Sequence, residues 1–146
     1  MPVFLDTSAL FKRYQVENGT AIVNELVESG AGDLFISSLT IVEITSNLKR
    51  LCAVDKVTNE SQYQDQRLFF FHDLDDLNIV VLGITTSDII KADELIQKRY
   101  MKPVDALQLA IALNNFPTDL IFVSADNKLC DIAQDEGLKA LNPNRS

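Results

Sequence analysis

Soft metal ligands and redox groups are scarce in this chain: 146 residues contain two cysteines and one histidine. Cys52 and Cys130 lie far apart and match no paired-ligand or redox spacing, so both are expected as buried, reduced thiols. His72 falls inside a long helical stretch away from every acidic motif, which argues against a zinc site and against a histidine general base. With five glycines and four prolines, the chain has no Gly-rich phosphate loop ending in Lys-Ser or Lys-Thr, and no dinucleotide fingerprint follows any strand. No window approaches the roughly 18 apolar residues of a membrane span. Met1 leads straight into a strand without a basic leader and cleavage site, so a cytoplasmic location is expected. Positive charge is short as well. Thirteen Lys and Arg against 21 Asp and Glu leave a formal charge of −8, so the field of the whole molecule does not steer a polyanion.

What is present is an apolar content of 47%, enough for one domain with a sizeable core. Short apolar runs alternate with helical spacing. Strands are expected at Pro2–Leu5, Leu34–Ile36, Ile79–Leu82 and Leu120–Val123, with a possible edge strand at Lys139–Leu141. Between them, helices are expected from a Thr7 or Ser8 cap through Tyr14, over Ala21–Glu28, from Ser37, Ser38 or Thr40 through about Cys52, over Asn59–Asp76, from a cap at Thr85-Thr86-Ser87-Asp88 to about Tyr100, over Pro103–Asn115 and over Asp126–Glu136. Leu39, Val42, Leu48 and Leu51 are expected near one face of the third helix, and Leu68-Phe69-Phe70-Phe71 to pack on more than one side of the fourth. Unbroken apolar strands separated by helices predict an α/β domain whose parallel sheet is covered on both faces. The domain is expected to span residues 1–141, with 142–146 as a flexible tail.

Four acids stand where such folds do chemistry. Asp6 and Asp126 follow apolar strands, Asp105 opens a helix just after Pro103, and Glu43 interrupts Thr40-Ile41-Val42-Glu43-Ile44. Ligands of open parallel sheets sit beyond the carboxyl ends of the strands. Each Asp also has a plain use as a cap, turn or first-turn residue. Glu43 is harder to explain that way, because an uncompensated carboxylate inside an apolar helical stretch calls for solvent or a cation. Converging carboxylates repel one another unless a positive centre sits among them, and oxygen-only ligation suits Mg²⁺ or Mn²⁺. An aspartyl-nucleophile phosphatase would want an Asp at position 8, where Ser8 stands, and a receiver domain would want an Asp after the third strand, where Gly83 and Ile84 stand. Metal-assisted phosphodiester hydrolysis survives the elimination.

In these segments the chain resembles the PIN-domain ribonucleases, in particular the VapC toxins of toxin–antitoxin pairs. Phe4-Leu5-Asp6-Thr7-Ser8-Ala9-Leu10 is similar to the opening motif, and Ser37-Ser38-Leu39-Thr40-Ile41-Val42-Glu43-Ile44 to the second. Asp105-Ala106-Leu107-Gln108-Leu109-Ala110 and Phe122-Val123-Ser124-Ala125-Asp126-Asn127-Lys128-Leu129 match the third and fourth. The resemblance implies a PIN-like three-layer α/β/α domain with about five parallel strands. It places metal-binding catalytic acids on Asp6, Glu43, Asp105 and Asp126, and implies products ending in a 3′-hydroxyl and a 5′-phosphate. It further implies a homodimer and inhibition by a small antitoxin protein. Thr7 and Ser124 are candidates to orient a ligand carboxylate or a metal-bound water. Lys12, Arg13, Lys49, Arg50, Lys98, Arg99, Lys102 and Lys128 are candidates to meet the RNA backbone. Two rival readings keep the same fold: a non-catalytic interaction module, and a DNA-directed or structure-specific nuclease.

Overall fold

The computed structural model describes residues 1–145 and places five parallel strands between two layers of helices. Strand β1 (Val3–Leu5) is central; β2 (Leu34–Ser37) and β3 (Val80–Leu82) extend the sheet to one side, β4 (Ile121–Val123) and β5 (Lys139–Leu141) to the other. Three residues suffice for β1 because alternate side chains serve different cores. Phe4 joins Phe122, 5.6 Å between ring centroids, against helices α5 (Thr86–Lys98), α6 (Pro103–Asn115) and α7 (Asn127–Asp135). Val3 and Leu5 face the opposite core, built with α1 (Thr7–Leu10), α2 (Thr20–Glu28), α3 (Ser38–Ala53) and α4 (Glu60–Asp76). The expected α/β class, the parallel sheet and the β5 edge strand are all present.

Several local expectations need correction. Covering on both faces fails at β3, where Val80 and Val81 are exposed on an edge strand. On α3 the inward stripe is Thr40, Ile44 and Leu48, one residue every four, which leaves Val42 63% exposed on the outside. Helix α5 stops at Lys98 rather than Tyr100 because Arg99 is extended (φ −163°, ψ 152°), while its start follows the expected cap. There Thr85 Oγ1 accepts from Asp88 N–H and Asp88 Oδ2 accepts from Thr85 N–H. Cys130 is buried and Cys52 only half-buried.

The aromatic run of α4 turns around the helix as expected. Phe70 joins Tyr63 and Asp73 on the buried face, whereas Leu68 and Phe69 remain exposed. Asp73 is the ionic anchor of this layer. It receives Arg13 through Nε at 2.7 Å and Nη2 at 3.2 Å, and the Tyr14 hydroxyl at 2.6 Å. Burial, and then the hydrogen bond to Asp73, push the Tyr14 phenol far above its ordinary range, so it remains a donor.

The chain end is not loose at its beginning. Asn142 is buried, and its amide donates to the Ala125 carbonyl and to Asn127 Oδ1, on either side of Asp126. Pro143 is also buried, against Gly19, whose φ of +91° and the 2.7 Å between a would-be Cβ and the Pro143 carbonyl both require glycine. The tail expectation is therefore corrected for Asn142 and Pro143, and Ser146 lies outside the described residues. Among the described residues no helix is long and apolar enough to cross a membrane.

Candidate active site

Sheet order 3-2-1-4-5 sends the chain to opposite sides of β1, so the switch point lies between β1 and β4. Their parallel register pairs Leu5 with Val123, and the next residues, Asp6 and Ser124, emerge side by side at the carboxyl edge. Asp6 N–H donates to the Val123 carbonyl at 2.9 Å, which ties the two exits together.

Each acid has a distinct support. Asp6 is 4% exposed, and its Oδ2 accepts from Ser8 Oγ at 2.7 Å and Ser124 Oγ at 3.0 Å. Glu43, half-buried, offers Oε1 to Thr7 Oγ1 at 2.7 Å and to Gln108 Nε2 at 3.2 Å. Gln108 Nε2 also reaches Thr40 Oγ1 at 3.0 Å, and Thr40 lies 2.9 Å from Thr7, so one buried polar network fixes α1, α3 and α6 to Glu43. Asp126 caps α7: its Oδ1 accepts from the N–H groups of Lys128 and Leu129. The plain capping role of Asp126 is thus real. Asp105, half-buried in the first turn of α6, takes no hydrogen bond from the described residues.

These supports leave a common remainder. Asp6 Oδ1, Glu43 Oε2, Asp126 Oδ2 and both Asp105 oxygens accept nothing from the described residues, while the other oxygen of the first three is tied to the fold. The acids also share a field. Burial pushes the Asp6 carboxyl up to about 6 against the hydrogen bonds from Ser8 and Ser124, and the charges of Asp105 and Glu43 push in the same direction as burial. Burial, then Asp126, raise the Asp105 carboxyl; Lys102 and Lys128 oppose the rise. The acids do not close on one point, however. Among the described residues no three His, Cys, Asp or Glu side chains form a group able to hold a metal ion. The donor set suits a hard divalent ion in kind, oxygens only with one or more free per acid, but ligation by all four needs intervening water or side-chain rotation.

Burial of Asp6 makes stability depend on pH. A carboxyl raised on folding holds its proton more tightly in the folded state, so its penalty is absent below its unfolded pKa and grows as pH rises through about 6. Asp6→Asn cannot ionise and escapes the penalty. In chelator, the unfolding free energy of the variant relative to the natural protein should increase by about 2 kcal/mol between about pH 4 and about pH 7.5. Chemical denaturation at the two pH values measures this, and a difference independent of pH would refute it.

Of the basic candidates, two lie with the acids: Lys102 and Lys128 line the same cleft as Asp105 and Asp126. Neither makes an ion pair with the described residues. Lys12 and Arg13 are corrected as RNA contacts: Lys12 is 4% exposed and bound to Glu17, and Arg13 is spent on Asp73, Glu28 and Asn24. Lys98 and Arg99 pair with Glu136, Lys49 pairs with Glu60, and Arg50 lies 3.8 Å from Asp55. Ser8 and Thr40 are expected from the sequence only as helix-start hydroxyls and not as partners of the acids, and Gln108 has no assigned role, although it interrupts the apolar Ala106-Leu107-Gln108-Leu109-Ala110. That interruption was the available signal.

Switch-point geometry and carboxylates gathered around it define a doubly wound α/β domain with an acid-lined crevice. The PIN domain family model matches residues 3–135, and the chain belongs to the PIN-domain family. Among curated proteins no match is found. Solved structures give the same fold. A toxin–antitoxin complex from Klebsiella pneumoniae contains a chain 18% identical, with 97% of each chain covered and a TM-score of 0.67. FitAcB from Neisseria gonorrhoeae is 13% identical over 99% of each chain, with a TM-score of 0.70. DNA-bound VapBC from Salmonella typhimurium is 17% identical over 98% of each chain, with a TM-score of 0.61. At these identities the likeness is one of fold.

Proposed function

We propose that this protein is a divalent-metal-dependent endoribonuclease and the toxin of a toxin–antitoxin pair. The observation that carries the reading is the half-tied state of the acids. Asp6, Glu43 and Asp126 each have one oxygen held by the fold and one left over, beside a wholly free Asp105. Mg²⁺ or Mn²⁺ would be held by Asp6, Glu43, Asp105 and Asp126, directly or through water, and would supply charge neutralisation at the phosphate and a more acidic water. Ser8 and Ser124 fix the rotamer of Asp6, while Thr7, Thr40 and Gln108 fix that of Glu43. Lys102 and Lys128 stand ready for the flanking phosphates.

A small antitoxin and a second copy of the chain belong to the same proposal. Toxin–antitoxin complexes among the structures of the same fold support the antitoxin, as do the exposed Leu68 and Phe69 of α4. The rival reading, a non-catalytic interaction module, is favoured by one observation: no three of the acids form a ready metal group among the described residues. A DNA-directed nuclease would use the same acids on the other sugar.

One assay separates the three. Matched single-stranded RNA and DNA are incubated with the purified protein in Mg²⁺ and in chelator, and again with the protein as it co-purifies with any small native partner. RNA cleavage that needs Mg²⁺ and is suppressed in the complex is expected. DNA cleavage in preference to RNA, or no cleavage of either, would overturn the reading.

A further inference from the structure

Beside the acids the protein has a cleft whose composition differs from theirs. Its floor is apolar and buried, made by Met101, Leu129 and Ile132, and Asp105 and Asp126 stand at its acidic end. At its rim stands Tyr100, 72% exposed, in the loop where the early end of α5 leaves the chain extended before α6. The other two tyrosines, Tyr14 and Tyr63, are buried. Lys128 lies over one face of the Tyr100 ring, its Nζ 5.1 Å from the centroid. An exposed ring contributes little to folding, since its surface stays wet. Lys102 and Lys128 complete the rim and make no ion pair among the described residues, unlike Arg13, Lys49 and Arg50 of α3, Lys98 of α5 and Arg99.

An exposed aromatic ring, an apolar floor and two ammonium groups without an acidic partner among the described residues suit a group that is flat and apolar in its plane and anionic at its edge. A nucleotide has that character, because the base stacks on the ring while the phosphates meet the cations. We infer that the cleft between Tyr100 and Leu129 is a base-binding subsite, in which one unpaired base of single-stranded RNA stacks on Tyr100 while Lys102 and Lys128 hold the phosphates on either side of it. The inference rests on the ribonuclease reading and deepens it. A strand seated this way passes its next phosphate over Asp105 and Asp126, so the identity of the stacked base biases where the strand is cut. A duplex has no base to offer, which makes the cleft selective for loops and single strands.

The chain contains no tryptophan, so Tyr100→Trp creates a single indole that both stacks and reports. In a background of Asp6→Asn, which removes turnover, a short single-stranded RNA is titrated in chelator and the indole emission is followed. Quenching on binding is expected, together with a roughly tenfold weaker affinity and loss of quenching when one nucleotide at the responsive position is made abasic. With Asp6 intact, Tyr100→Ala should raise KM roughly tenfold and blur the preference for cut sites, whereas Tyr100→Phe should retain both. Abasic and intact strands binding alike, tighter quenching by DNA than by RNA, or an unchanged KM and cut pattern in Tyr100→Ala would each overturn the inference. The binding arm needs neither metal nor cleavage. Base-dependent quenching in a protein that cleaves nothing would uphold the subsite and reject the ribonuclease, while cleavage indifferent to Tyr100 would do the reverse.

Discussion

Asp6→Asn is expected to reduce RNA cleavage by more than about 100-fold while leaving the fold intact, since that factor is the upper end of what loss of a mere outer partner of a metal ligand costs. The asparagine keeps the shape of the side chain and can still accept from Ser8 and Ser124, but it removes the negative charge at the centre of the switch point. If that charge acts mainly at the transition state, single-turnover cleavage at saturating RNA falls and RNA affinity changes little. Circular dichroism of the variant guards against misfolding. Near-natural single-turnover rates in a folded variant would remove Asp6 from the catalytic scheme.

Asp73→Ala is expected to cost about 3–5 kcal/mol of stability, as removal of one partner from a buried ion pair does. Asp73 and the Arg13 side chain are 4% and 8% exposed, so the alanine leaves a guanidinium with little water and loses the Tyr14 hydrogen bond as well. Glu28 and Asn24 still receive Arg13 and moderate the loss. Tyr14→Phe removes a single donor and should cost about 1 kcal/mol. Urea denaturation compares the two. A loss below about 1 kcal/mol for Asp73→Ala would show that the cluster is solvated and contributes as surface pairs do.

The same cluster shows where the sequence was opaque. Lys12 and Arg13 follow Asp6 by about two helical turns, which on spacing alone suggests a basic rim beside an acidic pocket. Their partners, Glu17 and Asp73, lie 5 and 60 residues onward, and the second pairing is invisible before the layers are assembled. Asp6 and Asp126 were legible because a strand's end is a local signal and parallel topology carries such ends to one edge. The support of Glu43 was not, since Thr7, Thr40 and Gln108 come from three helices and meet only in the folded core. Sheet class could be read from unbroken apolar runs, yet the exposure of Val80 and Val81 could not, because edge position is a property of strand order and not of composition.

The clasp of Asn142 has a mechanical consequence. One amide joins the exit of β5 to the loop that presents Asp126, so the final residues act as a hinge pin rather than as packaging. Any fusion, label or surface tether attached at this end shares its load with the acid-bearing loop. The exposed β3 edge lies three strands away from β4 across the sheet, so an attachment there does not load the Asp126 loop directly.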